Sequence, residues 1–267
     1  MIVVADMQLK FHYSPKPGYT CLVKPGDAGL RFIEFGILHL MAGEGYSVET
    51  GEREAVLVML SGECQVTADD REWAMRRKGI FQEKASAVYL PRRSSYWVKG
   101  LGESEIAVAY APTDQDSSAR LVTPDQVRVK RRGKPHYERE VHDIAENDFP
   151  ARRLLVGETF TAPGQWSSYP PHRHDRHDPP SEYKLEEVYF YRVDPPQGFG
   201  LQRLYTDDET FDQSFTVQDN DVIVFPKGYH PVAAAPGYTV YYLWVLAGET
   251  RTMSFRDDPA HAWVKDT

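Results

Sequence analysis

Short apolar runs of strand length recur along the chain, each closed by Gly, Pro, Asp or Asn: 35–40, 55–60, 106–110, 188–193, 222–225 and 238–246. That rhythm predicts a β-rich chain. In the last run Tyr238, Val240, Tyr242 and Trp244 alternate with Thr239, Tyr241, Leu243 and Val245. Both sets are largely apolar or aromatic, so this strand is expected to be buried on both faces. The 19 prolines and 19 glycines discourage long helices. The only helix candidates lie near Glu249 and over 259–263.

The pattern also repeats at low resolution. Gly36 and Gly43 sit seven apart, as do Gly157 and Gly164, and both pairs are offset by 121. Carried forward, the offset sets Gly51 opposite His172 and Arg53 opposite His174. After an insertion, 54–57 faces 187–190, Leu90-Pro91 faces Phe225-Pro226, and Ser95 faces His230. Two copies of one β-module are expected, divided near 120–145. We take residues 1–125 as the first barrel and 126–267 as the second.

Composition narrows the function. The 31 basic and 39 acidic residues give a net charge of −8, which argues against nucleic acid or an anionic membrane as a partner. The basic run at 130–134 reads as part of a solvated linker. Cys21 and Cys64 lack a metal or disulfide spacing. The N-terminus lacks a signal-peptide pattern, and no apolar run has the length of a bilayer span. A cytoplasmic protein is expected.

Candidate chemistry gathers in the second module. His172 and His174 are two apart, so on a strand both imidazoles point to one face. The run 184–191 reads as a buried strand with Glu186 and Glu187 at its start. A carboxylate entering an apolar interior must be paired or ligate a metal. Alternation puts Glu187, Tyr189 and Tyr191 on one face and Glu186, Val188 and Phe190 on the other, without choosing between the glutamates. His230 follows a strand and a Pro-x-Gly turn. Three imidazoles and a carboxylate suit a divalent Zn, Mn, Fe or Ni ion. Tyr189, Tyr191 and Tyr242 would line the same cavity. The remaining histidines, His12, His39, His136, His142 and His261, read as structural or surface residues.

The order H-x-H, Glu, P-x-G and His resembles the cupin superfamily. The strings VGETFTAPGQWSSYPPHRHD, LEEVYFYRV and FPKGYHPVAAAPGY resemble the bicupin sugar-acid isomerases: the 5-deoxy-glucuronate isomerases of inositol catabolism and the related uronate ketol-isomerases of pectin breakdown. The resemblance covers nearly the whole chain and is looser in the first half. It implies an all-β bicupin of two double-stranded β-helix (jelly-roll) barrels, the first without metal ligands. It implies one divalent metal, zinc foremost with manganese or iron as alternatives, on His172, His174, Glu187 and His230. It also selects Glu187 over Glu186, because the metal glutamate of the relatives precedes Val-Tyr. The sequence departs from the usual cupin pattern in the long gap between His174 and Glu187 and in a histidine that arrives one residue early after the P-x-G turn.

The implied reaction is an aldose–ketose isomerisation of 5-deoxy-D-glucuronate, a small sugar acid. Candidates for moving its proton are Glu187, Tyr189 and His177, the last on a polar segment that could act as a lid. Lys184 and Arg203 are candidates for its carboxylate, with Tyr191 and Tyr242 as further contacts. An Fe(II) cupin dioxygenase, the pectin-pathway isomerase and a non-catalytic sugar-binding cupin are the alternatives. Exposed barrel edges and family habit point to a homo-oligomer.

Overall fold

Strand alternation decides what each barrel keeps inside and what it gives to its neighbour. Residues 7–146 and 148–266 are described in the computed structural model of the chain. Among them are strands and three short 3-10 turns, with no α-helix. The helix expected over 259–263 is only a 3-10 turn, Ala262–Asp266.

The first barrel carries a sheet in the order Arg120–Val122, Ala87–Leu90, Arg53–Ala68, Ser104–Pro112, Glu34–Leu40 and Gly18–Val23. The long strand Arg53–Ala68 continues into the opposing layer, where it pairs with Arg71–Arg77 and Ser95–Gly100. The second barrel has a seven-stranded sheet: Lys10–His12, Asp221–Phe225, Glu186–Asp194, Thr239–Ala247, Leu155–Thr161, Arg139–Ala145 and Arg128–Arg132. A four-stranded sheet opposes it, formed by Trp166–Ser167, Val232–Ala234, Gly200–Tyr205 and Asp212–Val217. This is the expected all-β bicupin.

Two details differ from the sequence reading. Lys10–His12, from the N-terminal end, completes the sheet of the second barrel by pairing with Asp221–Phe225. The basic run is no linker: Arg128–Arg132 is an edge strand antiparallel to Arg139–Ala145. Its charges are matched, since Lys130 Nζ lies 2.6 Å from Asp143 and 2.9 Å from Glu146, and Arg128 bonds Asp148. Paired charges on an edge strand also discourage edge-to-edge association.

The two large sheets pack face to face. Phe35, Ile37, Val56 and Val58 of the first meet Val188, Phe190, Tyr241, Leu243 and Val245 of the second in one buried cluster. Alternate residues of the same strands, Tyr189, Tyr191, Tyr242, Trp244 and Leu246, fill the second barrel. Thr239–Ala247 is therefore buried on both faces, as its pattern predicts. Each such fully buried large side chain contributes about 1.5–3 kcal/mol, so the contact between barrels is part of the fold's stability.

Polar pairs fix that contact. Glu186 accepts backbone N–H bonds from Arg31, Phe32 and Ile33 at 2.6–2.8 Å. Glu54 accepts the matching set from Arg152, Arg153 and Leu154 at 2.7–2.9 Å. The donors are offset by 121, as the glycines are. Glu54 therefore answers to Glu186, and Ala55 to Glu187, one residue from the alignment drawn from the sequence. The strand pairing agrees: Ala55 faces Leu90 and Glu187 faces Phe225. Gly36 and Gly157 are matched by steric need. A Cβ on Gly36 would lie 2.4 Å from the Thr20 carbonyl oxygen, and one on Gly157 would lie 2.1 Å from the Trp244 ring.

Between the barrels Arg77 and Glu158 form a fully buried bidentate pair at 2.6 and 3.1 Å. Tyr241 donates to the same carboxylate at 2.8 Å, and His142 lies 3.7 Å away.

Candidate metal centre

Three strand ends converge at one end of the second barrel. His172–Arg173 pairs with Arg256–Asp257. Glu187 opens Glu186–Asp194 opposite Phe225, and His230 lies beyond the turn that follows Phe225. The ligand-capable atoms of His174, Glu187 and His230 lie within 4.8 Å of one another, and all three residues are buried. His174 Nε2 is 3.0 Å and His230 Nε2 is 3.2 Å from the same Glu187 oxygen.

The outer ring nitrogens explain why this cluster suits a cation. His174 Nδ1 faces the Leu185 carbonyl at 2.9 Å, and His230 Nδ1 faces the Gly228 carbonyl at 3.0 Å. Each Nδ1 must therefore donate, which in a neutral ring leaves a lone pair on Nε2. Two such lone pairs aimed at a carboxylate oxygen repel unless a proton or a cation lies between. His230 Nε2 is buried with no hydrogen-bond partner among the described residues. Two imidazoliums buried side by side would be costly, whereas one divalent ion satisfies all three groups. The donor set of nitrogen and oxygen atoms fits such an ion.

The titration of the protein groups follows the same geometry. Burial works against a charge on His174, but the Glu187 carboxylate outweighs it and raises the imidazole pKa. Burial likewise opposes ionisation of Glu187, yet the two imidazoles beside it hold its pKa below the usual range.

His172 stands beside this group. Its ring centroid is 4.9 Å from that of His230 and 6.4 Å from that of His174, and it stacks on Phe255 at 4.9 Å and 6° between planes. Burial, then the neighbouring His230 and His174, push its pKa well below the ordinary histidine value. Phe255 belongs to the C-terminal segment, which crosses the end of the barrel. The sequence gives no sign of that contact, because nothing local ties residue 255 to residue 172.

The interior beside the cluster is lined with hydroxyls. Tyr189 and Tyr242 stack at 4.2 Å, and the Ser168 hydroxyl bonds both, at 3.0 and 3.3 Å. Thr161 donates to Ser167 at 2.7 Å, and Tyr191 donates to Gln202 at 2.6 Å. Ser168 turns through the left-handed region at φ 48°, a conformation uncommon for a residue with a side chain. Burial and the Glu187 charge raise the Tyr189 pKa well above its ordinary value, so Tyr189 stays protonated.

The remaining sequence candidates lie elsewhere. His177 is exposed and packs edge-on to Tyr183 at 5.7 Å. With Lys184 it lines a separate cleft of about 780 Å³, to which none of His172, His174, Glu187 and His230 contributes. Arg173, between the two histidines, also faces that cleft, where Asp207 and Glu182 neutralise it. Arg203 alternates with the inward-facing Gln202, and its guanidinium is held by Asp212 at 2.7 and 2.8 Å. Neither Lys184 nor Arg203 is brought to the metal cluster. Arg139, which the sequence reading passes over, is a cation on the barrel's inner face: its charge acts on Tyr242 and Tyr189, and on His172.

A cupin-type barrel with a buried His–Glu–His cluster defines a class of bicupin proteins equipped to hold a metal. Comparison with known proteins places the chain within that class. Residues 9–264 match the model of the KduI/IolB family, and the chain belongs to that family. It is 41% identical over 259 residues to the 5-deoxy-glucuronate isomerase of Geobacillus thermodenitrificans, covering 96% of this chain and 94% of the relative. It is 37% identical over 246 residues to the Bacillus subtilis enzyme of the same name, covering 91% of each. An IolB-like protein from Salmonella typhimurium superposes with a TM-score of 0.93 at 38% identity, over 96% of this chain and 99% of that one. A Lactobacillus farciminis oxalate decarboxylase shares the fold alone, with a TM-score of 0.68 at 12% identity over 94% of this chain and 88% of that one. By these relationships the chain is an enzyme of the isomerase class.

Proposed function

We propose that this enzyme converts 5-deoxy-D-glucuronate to 5-dehydro-2-deoxy-D-gluconate, with one divalent metal, zinc foremost, on His174, Glu187, His230 and His172. The observation that carries the reading is the buried cluster whose two Nε2 atoms face one carboxylate oxygen, beside a hydroxyl-lined interior. The names of the relatives supply the substrate.

The reaction moves a proton from C2 to C1 and another from O2 to O1, so that the aldehyde carbon becomes a primary alcohol and C2 becomes a ketone. Its barrier lies in placing negative charge on the sugar oxygens. A divalent ion, if held by His174, Glu187 and His230, would supply Lewis-acid stabilisation of that charge. The chain's own groups do the rest. Tyr189, kept protonated, donates toward oxygen as charge develops. Glu187 is our candidate for taking up the carbon-bound proton. The Leu185 and Gly228 carbonyls accept from Nδ1 of each imidazole and so turn each Nε2 toward the ion.

The test pairs metal analysis of the purified protein with an NMR assay on the uronate. One metal per chain, loss of turnover on chelation and recovery on adding back a divalent ion are expected. Turnover indifferent to chelation, or oxygen consumption in place of isomerisation, refutes the reading.

A further inference from the structure

We propose that Arg139 binds the carboxylate of the sugar acid in the second barrel; this rests on the isomerase reading above. Other arginines with little exposure are used up: Arg77 by Glu158, Arg173 by Asp207 and Glu182, and Arg192 by Glu105 and Asp219. Arg139 has no carboxylate partner among the described residues. Its hydrogen bonds run from Nη1 alone, to the carbonyls of Tyr169 at 2.9 Å and Tyr137 at 3.4 Å. Nε and Nη2 make none among the described residues, and they form the donor edge of the fork that a carboxylate fits side-on.

The register directs that fork inward. Arg139 pairs with Thr161, which pairs with Val240, and Val240 packs inside the second barrel. Thr161 bonds Ser167, and the next residue, Ser168, bonds Tyr189 and Tyr242. The carbonyl that fixes Nη1 belongs to Tyr169, three residues before His172. The guanidinium is thus tied to the same loop as the metal cluster and shares its interior. A half-buried cation with no counter-ion among the described residues carries a desolvation cost, and that desolvation lowers the Arg139 pKa. An anionic substrate arriving there would remove that cost. A sugar acid with its aldehyde end at the cluster presents its carboxylate at the far end of the chain, where a separate anchor is required. Arg139 would set specificity for an acid over a neutral sugar.

The test compares wild type with Arg139→Met and Arg139→Lys, using the uronate and the neutral sugar in which the carboxylate is reduced to a hydroxymethyl group. Arg139→Met should raise KM for the uronate on the order of a hundredfold while leaving metal content and turnover of the neutral sugar unchanged. Arg139→Lys should recover part of the loss. A parallel fall on both substrates would assign Arg139 a structural role through the Tyr169 and Tyr137 carbonyls and overturn the proposal, as would an unchanged preference. If wild type fails to turn over the uronate, the isomerase reading falls separately. Calorimetric titration of the metal-loaded proteins with the uronate then decides. Binding lost in Arg139→Met supports the carboxylate site, and equal binding or none by wild type overturns it.

Discussion

The two barrels place different residues at the same structural position. In the second, His174, Glu187 and His230 turn their polar atoms toward one another with no internal resolution. In the first, Ala55 stands where Glu187 does, and the neighbouring polar groups satisfy one another. Arg53 bonds Glu34 at 2.8 Å and lies 4.2 Å over the Tyr110 ring, Tyr19 donates to Glu34, and the Tyr96 and Tyr110 hydroxyls are in contact. The Thr50 hydroxyl closes on the Pro91 and Ser94 carbonyls. One framework therefore supports a closed polar network and an open one. Unresolved lone pairs, rather than the barrel itself, mark the site that can take a metal.

The largest effect that breaks this asymmetry is at the cluster. Glu187→Gln or His174→Ala should remove bound metal and reduce turnover to background, with the far-UV CD spectrum unchanged; metal analysis checks the first and the NMR assay the second. Removing one partner of the buried bridge between barrels comes next. Glu158→Gln leaves Arg77 uncompensated and should cost about 3–5 kcal/mol in denaturant unfolding.

The same pair predicts an acid limit. Burial alone would raise the Glu158 pKa, but Arg77, with His142 nearby and Tyr241 hydrogen-bonded, brings it down to about 2. A folded value below the unfolded one, about 4.3, stabilises the protein above the unfolded pKa. That contribution is lost as pH falls from about 4 toward 2. Glu158→Gln should flatten this part of the stability–pH curve.

Two matched substitutions sharpen the comparison. Glu54→Gln and Glu186→Gln each weaken one of the two sets of three backbone bonds and should each cost about 1–3 kcal/mol, with bound metal retained in both. Unequal metal loss would show that the contact between barrels tunes the site. The smallest effect is expected from Arg53→Met. Its partly exposed pair with Glu34 is worth under about 1 kcal/mol, so turnover and metal content should stay at wild-type levels.

Much of this was legible in the sequence because strand geometry is local. Alternation alone sorted Glu187, Tyr189 and Tyr191 from Glu186, Val188 and Phe190, and the structure keeps that division between barrel interior and inter-barrel face. The glycine offset of 121 located the repeat. The one-residue shift that matches Glu54 with Glu186 was not legible, because the insertion before the strand differs between copies and only the backbone donors fix the register. The basic run looked like a linker because its carboxylates, Asp143, Glu146 and Asp148, face it only after the strand folds back.

The sequence by itself determined the β-rich class, the doubly buried strand, the order of the histidines and glutamates, and the family they resemble. Tertiary structure decided which charges are spent. Lys184 and Arg203 looked as available as any other cation, yet one lies in a separate cleft and the other is held by Asp212. Arg139 carries no signal of its own in the sequence, yet it faces the barrel without a counter-ion among the described residues. The physical reason is that side-chain direction repeats every two residues and can be read locally. The partner that neutralises a charge comes from whatever distant element the fold sets beside it.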